Sequence, residues 1–362
     1  MSNEKSCCCS VSSCCSTEYI TPYDKNDKWV TGEIHTPKGS VPVVSTSLHF
    51  KDKLGAWKVR WGISRMNYKI NPGLYAIGKP NHTSPVLVSA NYKLTFDVLR
   101  KELSGLDCWI LILDTKGINV WCAAGKGTFG TDEIVNRISK TGLSEIVSHR
   151  KLVLPQLGAP GVSAHEVTKQ TGFSAVYGPV RAKDIKTFLD SGFKATDEMR
   201  TVKFTIWDRM VLTPLELVAS AKSSLMVFGV IFLLNLFVTR PFGLEDFIAY
   251  TGAVLTGTVI TPLLLPVIPG RAFAWKGWLL GLLWTLGFSW YSGWFISGFL
   301  LLSIGYLLVL PSLSAYLAMN FTGSSTYTSF SGVIKEMKIA VPLIVISSLV
   351  GIVLLLVNSI FT

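Results

Sequence analysis

The stretch Leu113–Thr131, reading LDTKGINVWCAAGKGTFGT, gathers the residues of this 362-residue chain best suited to chemistry. Cys122 lies between an apolar run and the Ala-rich segment Ala123-Ala124-Gly125. That position suits the start of a helix, where unpaired N–H groups and the macrodipole favour a thiolate. A thiolate there is a soft metal ligand. The competing reading makes Trp121 and Cys122 a buried core pair, because free cysteine is among the most buried residue types. Two nucleotide motifs fail on the same residues. A P-loop needs Gly, four residues, then Gly-Lys-Ser/Thr, but Val120 stands where the first glycine should be and Gly127 follows Lys126. The Gly-x-Gly-x-x-Gly dinucleotide spacing is also missing.

The elements that must position Cys122 alternate. Arg60–Pro85, with Asn71-Pro72-Gly73 and Gly78-Lys79-Pro80, reads as turns and loops. A helix is predicted over Leu94–Ser104 and a strand over Trp109–Leu113. Thr131–Lys140, Ala164–Thr171 and Ala182–Ser191 read as helices, and Leu152–Leu154, Ala175–Tyr177 and Val202–Trp207 as extended. Such alternation predicts an α/β fold with a mostly parallel sheet covered by helices. In such sheets ligands meet loops at the carboxyl ends of the strands. Gly125–Thr131, Gly158-Ala159-Pro160-Gly161 and Gly178-Pro179 are either such loops or simple turns.

After Pro214 the composition changes. Apolar runs at Ala219–Val238, Phe247–Ile268, Gly277–Trp290, Trp294–Leu317 and Ile339–Phe361 predict an all-α transmembrane bundle of five helices. Glycines within them suit close helix packing in lipid, and Trp275, Trp278, Trp290 and Trp294 suit interfacial belts. Arg209, Lys222, Arg271, Lys276, Lys335 and Lys338 fall on one side and Arg240 on the other, which places the α/β domain in the cytoplasm and the C-terminus outside. No charge stands out as embedded in these runs, so an anchor or docking platform is expected rather than a transporter. The predicted organisation is a Cys-rich tail over 1–20, a cytosolic α/β domain over 21–215 and a transmembrane domain over 216–362 of a multi-pass inner-membrane protein.

The formal net charge is +11, with +8 of it before residue 217. A basic surface beside a bilayer suits anionic lipid headgroups, and no zinc-finger or RNP-type motif supports nucleic-acid binding. Five of the seven cysteines, Cys7, Cys8, Cys9, Cys14 and Cys15, sit in a Ser-rich tail and do not make a disulfide framework. No apolar signal-peptide region is expected ahead of the domain. A reducing, cytosolic setting follows.

Asn119-Val120-Trp121-Cys122-Ala123-Ala124-Gly125-Lys126 resembles the signature of the membrane-bound corrinoid protein of the two-protein microbial mercury-methylation system. The likeness extends over Arg65–Arg100, with Pro72-Gly73-Leu74-Tyr75-Ala76 and Ser84-Pro85-Val86-Leu87-Val88, over Leu154–Arg181, and over the helical tail. The domain also resembles the corrinoid domain of the acetyl-CoA-pathway corrinoid iron-sulfur protein, which does not use cysteine as an axial ligand. The resemblance implies a Rossmann-like corrinoid-binding domain with Cys122 as lower axial ligand to cobalt, on a short cap helix from about Asn119 to Lys126. Asn119 and Trp121 would position that helix, with Val120, Ala123 and Ala124 completing it. Gly125, Lys126, Gly127, Thr128, Gly158, Ala159, Pro160, Gly161, Gly178 and Pro179 would receive the corrin edge and nucleotide tail. None of the five histidines lies in the Asp-x-His-x-x-Gly arrangement by which other cobalamin proteins offer imidazole to cobalt.

The function so implied is corrinoid-dependent methyl transfer to Hg(II), giving methylmercury, with the methyl group drawn from the methyltetrahydrofolate pathway. A thiolate opposite the methyl pushes electron density toward it, the axial-ligand lever also seen in thiolate-ligated haems. The tail cysteines lack the spacing of a ferredoxin cluster. A separate reductant is therefore expected, and the resemblance makes it a small ferredoxin-like protein with two four-iron four-sulfur clusters. Those cysteines could instead capture Hg(II), attach lipid or have no role. The rival functions are a non-catalytic membrane corrinoid-binding protein and a transporter with a regulatory domain.

Overall fold

A computed structural model describes residues 20–23, 27–239, 241–295, 300–325 and 327–361. The chain divides into two compact units, residues 1–56 with 64–201, and residues 57–63 with 202–362.

The first unit is built on a mixed sheet of seven strands, β1 (Val30–Thr36), β2 (Gly39–Val44), β3 (Gly73–Ile77), β4 (Val86–Ala90), β5 (Cys108–Leu113), β6 (Lys151–Leu154) and β7 (Ser174–Tyr177), in the order β1-β2-β3-β5-β4-β6-β7. The stretch β5-β4-β6-β7 is parallel throughout, while β3 runs antiparallel to β5 and β1–β2 form an antiparallel hairpin. Every residue of β3, β4 and β5 is buried. Strands covered on both faces read as continuous apolar runs without alternation, so the turn residues around β3 masked it. The expectation of loops over Arg60–Pro85 is corrected accordingly. The extended segment expected at Val202–Trp207 is also corrected: Ile206–Met210 is helical, with Thr205 and Asp208 forming a capping box at its start.

The sheet still alternates in what it faces. Trp109, Leu111 and Leu113 belong to one core with Phe129, Ile134 and Ile138, and Cys108, Ile110 and Ile112 to the other, with Phe96 and Leu99. The first face is covered by α3 (Val120–Gly125), α4 (Thr131–Thr141) and α5 (Ala164–Thr171), and the second by α2 (Lys93–Glu102) and α6 (Ile185–Asp190). Helix α1 (Phe50–Arg60) is tied to α2 by buried charges. Lys93 Nζ lies 3.0 Å from Asp52 and 2.6 Å from Asp97, and Arg100 lies 2.8 Å from each carboxylate. Two cations and two anions thus satisfy one another out of water, and breaking such a set by removing one partner costs about 3–5 kcal/mol.

The second unit is helical, with α7 (Thr213–Leu234), α8 (Leu244–Leu255), α9 (Phe273–Tyr291), α10 (Leu300–Asn320) and α11 (Phe330–Phe361) as its long helices. Helix α8 runs on through a π-turn at Thr256–Ile260 into Thr261–Leu264. Among the described residues four helical segments are long and apolar enough to cross a membrane: Ile206–Leu234, Leu244–Leu264, Leu300–Gly323 and Ser331–Phe361. The expected five spans are corrected to four on this measure. Helix α9 carries Lys276 and four tryptophans within 19 residues, which dilute its apolar character. Trp294, expected to start a helix, lies in a turn that precedes α10. Small residues let the helices approach closely: a Cβ on Gly281 would fall 2.7 Å from Ser314 of α10. Arg240, used for the orientation, lies outside the described residues.

Candidate functional site

Because β4, β5, β6 and β7 are parallel, the segments that follow them emerge at one edge of the sheet. These segments are Asn91 after β4, Asp114–Asn119 after β5, Pro155–Gly161 after β6 and Gly178 onward after β7.

The path from β5 to Cys122 is fixed by hydrogen bonds. Asn91 Oδ1 accepts from the backbone N–H of Thr115 at 3.1 Å and of Gly117 at 2.9 Å, and Asn91 Nδ2 donates to Asp114 Oδ1 at 3.2 Å. Those bonds hold a turn in which Lys116 and Gly117 both have positive φ, 59° and 75°. Glycine adopts that geometry freely and lysine does so only under constraint. From the other side, Glu133 of α4 accepts the Asp114 N–H at 2.9 Å and is held by Arg137. Burial acts to raise the Asp114 pKa, but the hydrogen bond and charge of Lys116, with Arg137 behind it, outweigh burial and hold the carboxyl below its ordinary range.

Asn119 then caps α3: its Oδ1 accepts the Cys122 N–H at 2.9 Å. Capping satisfies one of the N–H groups that a helix start leaves without an intrahelical partner. Val120, Ala123 and Ala124 are buried, at the i, i+3, i+4 spacing of one helical face. Trp121, Cys122 and Gly125 are left on the outer side. Trp121 is 37 % exposed and Cys122 half-buried, so the fold does not make them a buried pair.

The turn Gln156–Gly161 after β6 packs directly on α3. A Cβ on Gly161 would fall 2.2 Å from the Phe129 carbonyl oxygen and 3.0 Å from Ala124 Cα, so glycine is what lets the two backbones meet. Gly158 is buried, Ala159 and Gly161 are half-buried, and Pro160 is exposed. Gly125, Lys126 and Gly127 are exposed and Thr128 is half-buried. Gly178 and Pro179 are buried, with Gly178 packed against Val153 and donating its N–H to Leu154 O at 2.8 Å. The site residues expected from sequence thus fall at one sheet edge, with the outer side of α3 open and the Gly178-Pro179 turn enclosed by the chain itself.

Sequence reasoning missed Asn91 and Glu133. The available signal for Asn91 was its place just after the apolar run Val86–Ala90; Glu133 gave none, because its role depends on α4 lying beside the β5 turn.

Of the two described cysteines, Cys108 is buried on the opposite face of the sheet. Burial first, and then Asp107, push its thiol up to about 12, which keeps it protonated at neutral pH. Cys7, Cys8, Cys9, Cys14 and Cys15 lie outside the described residues. No group of three or more His, Cys, Asp or Glu side chains among the described residues could enclose a metal ion. A single sulfur fits a metal that brings its other ligands with it, as a corrin ring brings four nitrogens. What α3 presents is one half-exposed sulfur, a donor set compatible with a metal held by its own macrocycle.

Residues 63–189 match the family of the CO dehydrogenase/acetyl-CoA synthase delta subunit. The chain is also similar to acetyl-CoA decarbonylase/synthase complex subunit gamma of Methanopyrus kandleri, 33% identical over 124 residues, which is 34% of this chain and 26% of that protein. The same subunit of Methanocaldococcus jannaschii is 33% identical over 33% of this chain and 25% of its own length, and that of Methanosarcina acetivorans 35% identical over 26% and 21%. The chain spans about a quarter of the length of these relatives. The matched region holds the site from Asn91 to Pro179, whereas residues 202–362 lie outside it.

Proposed function

We propose that the α/β unit is a corrinoid protein in which Cys122 is the lower axial ligand, and that the chain transfers methyl groups to Hg(II). The observation that carries this reading is the presentation of a half-exposed cysteine on a capped helix at the carboxyl edge of parallel strands. Similarity of residues 63–189 to subunits of an acetyl-CoA-forming complex supports a methyl-handling corrinoid domain.

A corrinoid bound here supplies the cobalt that carries the methyl group. Cys122 Sγ would hold the cobalt and lend it the electron density of sulfur, which suits methyl transfer to an electrophile such as Hg(II). Asn119 holds the helix that carries the sulfur, Asn91 and Glu133 hold the turn behind it, and the exposed Gly125 and Gly127 leave room beside it. The reductant in this reading is a small ferredoxin-like protein, and the methyl donor comes from the methyltetrahydrofolate pathway. The helical unit seats the chain in the inner membrane with the α/β unit in the cytoplasm.

Purified chain loaded with methylcobalamin and given Hg(II) should form methylmercury. Stoichiometric corrinoid binding without any methylmercury would leave the non-catalytic corrinoid-binding protein as the better reading.

A further inference from the structure

Helix α1 turns an apolar stripe outward. Phe50, Leu54 and Trp57 are 78 %, 37 % and 55 % exposed, and they stand at i, i+4 and i+7. Trp61 at i+11 extends the row, because its N–H bonds to the carbonyls of Trp57 and Lys58 and so continues the helical turn. Its ring centroid lies 6.1 Å from that of Trp57. At about 100° per residue the four side chains fall within about 60° of one another. The opposite face is committed elsewhere. Asp52 is buried in its ion pairs with Lys93 and Arg100, Val59 is buried, and a Cβ on Gly55 would fall 2.5 Å from the Tyr68 hydroxyl oxygen.

Basic residues border the stripe on both sides. Lys51 and Lys58 lie about 70–90° from its centre in one direction, and Lys53 and Arg60 as far in the other. All four are exposed, and none forms an ion pair with a described residue. Asp52 is the one carboxylate of the helix and is held among its buried partners. The outer surface of α1 therefore carries four positive charges and no negative one.

We infer that α1 lies along an anionic lipid surface, with Phe50, Leu54, Trp57 and Trp61 among the upper acyl segments and the four basic side chains at the phosphates. The inference rests on the membrane placement proposed above, which keeps a bilayer within reach of the chain. Two features select lipid over a protein partner. Indole rings, with an apolar body and one N–H, settle at the headgroup level of a bilayer. Three of the four bordering cations are lysine, which is depleted at protein–protein interfaces but reaches from an apolar surface up to phosphate on its long stem. Trp, Phe and Leu on one side of a helix, with Lys and Arg around them, is the arrangement by which interfacial helices bind anionic membranes.

The test uses the full chain in nanodiscs of two compositions, phosphatidylcholine alone and phosphatidylcholine mixed with phosphatidylglycerol. Hydroxyl-radical labelling, read residue by residue by mass spectrometry, reports which side chains meet water. Trp57 and Trp61 are expected to lose most of their labelling in the anionic discs alone, while Trp121 on α3 is labelled equally in both. Replacing Lys51, Lys53, Lys58 and Arg60 together by Gln should return Trp57 and Trp61 in anionic discs to their labelling in phosphatidylcholine. Equal labelling of Trp57 and Trp61 by the wild-type chain in the two discs overturns the inference whether or not the variant folds. So does protection that survives the fourfold substitution, and so does an equal loss at Trp121, which would mark general shielding by the disc. Protection in phosphatidylcholine that grows with chain concentration would place a second copy on the stripe and overturns it as well. A chain that does not enter discs would defeat the membrane placement itself; an embedded chain with Trp57 and Trp61 open to water defeats only the docking of α1.

Discussion

The Asn119 side chain accepts a hydrogen bond from the backbone N–H of Cys122 at 2.9 Å, so the residue that starts α3 is bonded to the residue that presents the thiol. Helix α3 has only six residues. An isolated helix so short is not stable in water, so its position depends on the cap, on Ala123 and Ala124 packing inward, and on the turn behind it.

Asn119→Ala should therefore cost about 1 kcal/mol, the usual worth of an N-cap, and reduce corrinoid retention by more than that stability loss explains. Asn119→Asp should restore both. Thermal melts and corrinoid retention measured on the same samples separate the two effects. Loss of stability with unaltered retention would show that the cap does not position Cys122.

Asn91 organises the turn from further back. Asn91→Leu removes the acceptor of the buried Gly117 N–H, while the Thr115 N–H keeps the Leu113 carbonyl at 3.1 Å, at a cost of about 1–3 kcal/mol for one buried group left unsatisfied. Its expected signature is increased hydrogen exchange at residues 115–117, read by mass spectrometry, together with weaker corrinoid binding.

The sequence made the local pieces of this site readable and left their assembly hidden. Ala164–Thr171 was predicted with the boundaries the helix has, because its polar-apolar period and the Gly172 that ends it are both local signals. Cys122, in its Ala-rich setting after an apolar run, announced a helix start. Strand β3 was missed because a strand buried on both faces has no alternation to read, and the β1–β2 hairpin because β1 is largely polar and a proline interrupts β2. Glu133 could not be found locally, since it acts 19 residues away from the turn residue it holds, and Asn91, acting 24 residues away, offered only its place after the run Val86–Ala90. In the helical unit, apolar length found the helices, while tryptophan content and a turn at 292–295 decided which were apolar enough to span.

Two glycines of the site should respond differently to a methyl group. Gly161→Ala would press a Cβ against backbone atoms of Phe129 and Ala124, which cannot yield as a flexible side chain can. A loss of about 1–3 kcal/mol is expected, as for other overpacked positions. Gly125→Ala meets nothing within 4 Å and should fold normally. If a corrin lies against α3, Gly125→Ala weakens its binding without moving the melting temperature.

The buried ion cluster gives the first unit a dependence on acid. Burial acts to raise the Asp52 pKa, but the Lys93 hydrogen bond and charge, the His49 N–H and Arg100 outweigh it, so the carboxyl sits below its ordinary value. A group with a lowered folded pKa stabilises the fold above its unfolded pKa, about 3.9 for Asp, and that contribution disappears as pH falls through the folded value. Asp52→Asn should thus be clearly less stable than wild type at pH 7, with the difference shrinking below about pH 4. Limited proteolysis of the α1–α2 region across pH, with an acid-active protease at the low end, checks the convergence. A difference that stayed constant with pH would contradict the role given to Asp52.

The central claim is that Cys122 Sγ is the axial donor, and the absorption spectrum of corrinoid-loaded protein tests it most directly. Axial-ligand identity alters the electronic structure of a ring-bound metal. Loaded wild-type chain should show bands shifted from those of free corrinoid. Cys122→Ala, with the same far-ultraviolet circular dichroism as wild type, should lose that shift, and Cys122→His should show a different, imidazole-type spectrum. Trimming a side chain that served only packing would cost about 1 kcal/mol of stability and leave the bands where they were. A folded, corrinoid-loaded Cys122→Ala chain with a spectrum identical to wild type would contradict the assignment.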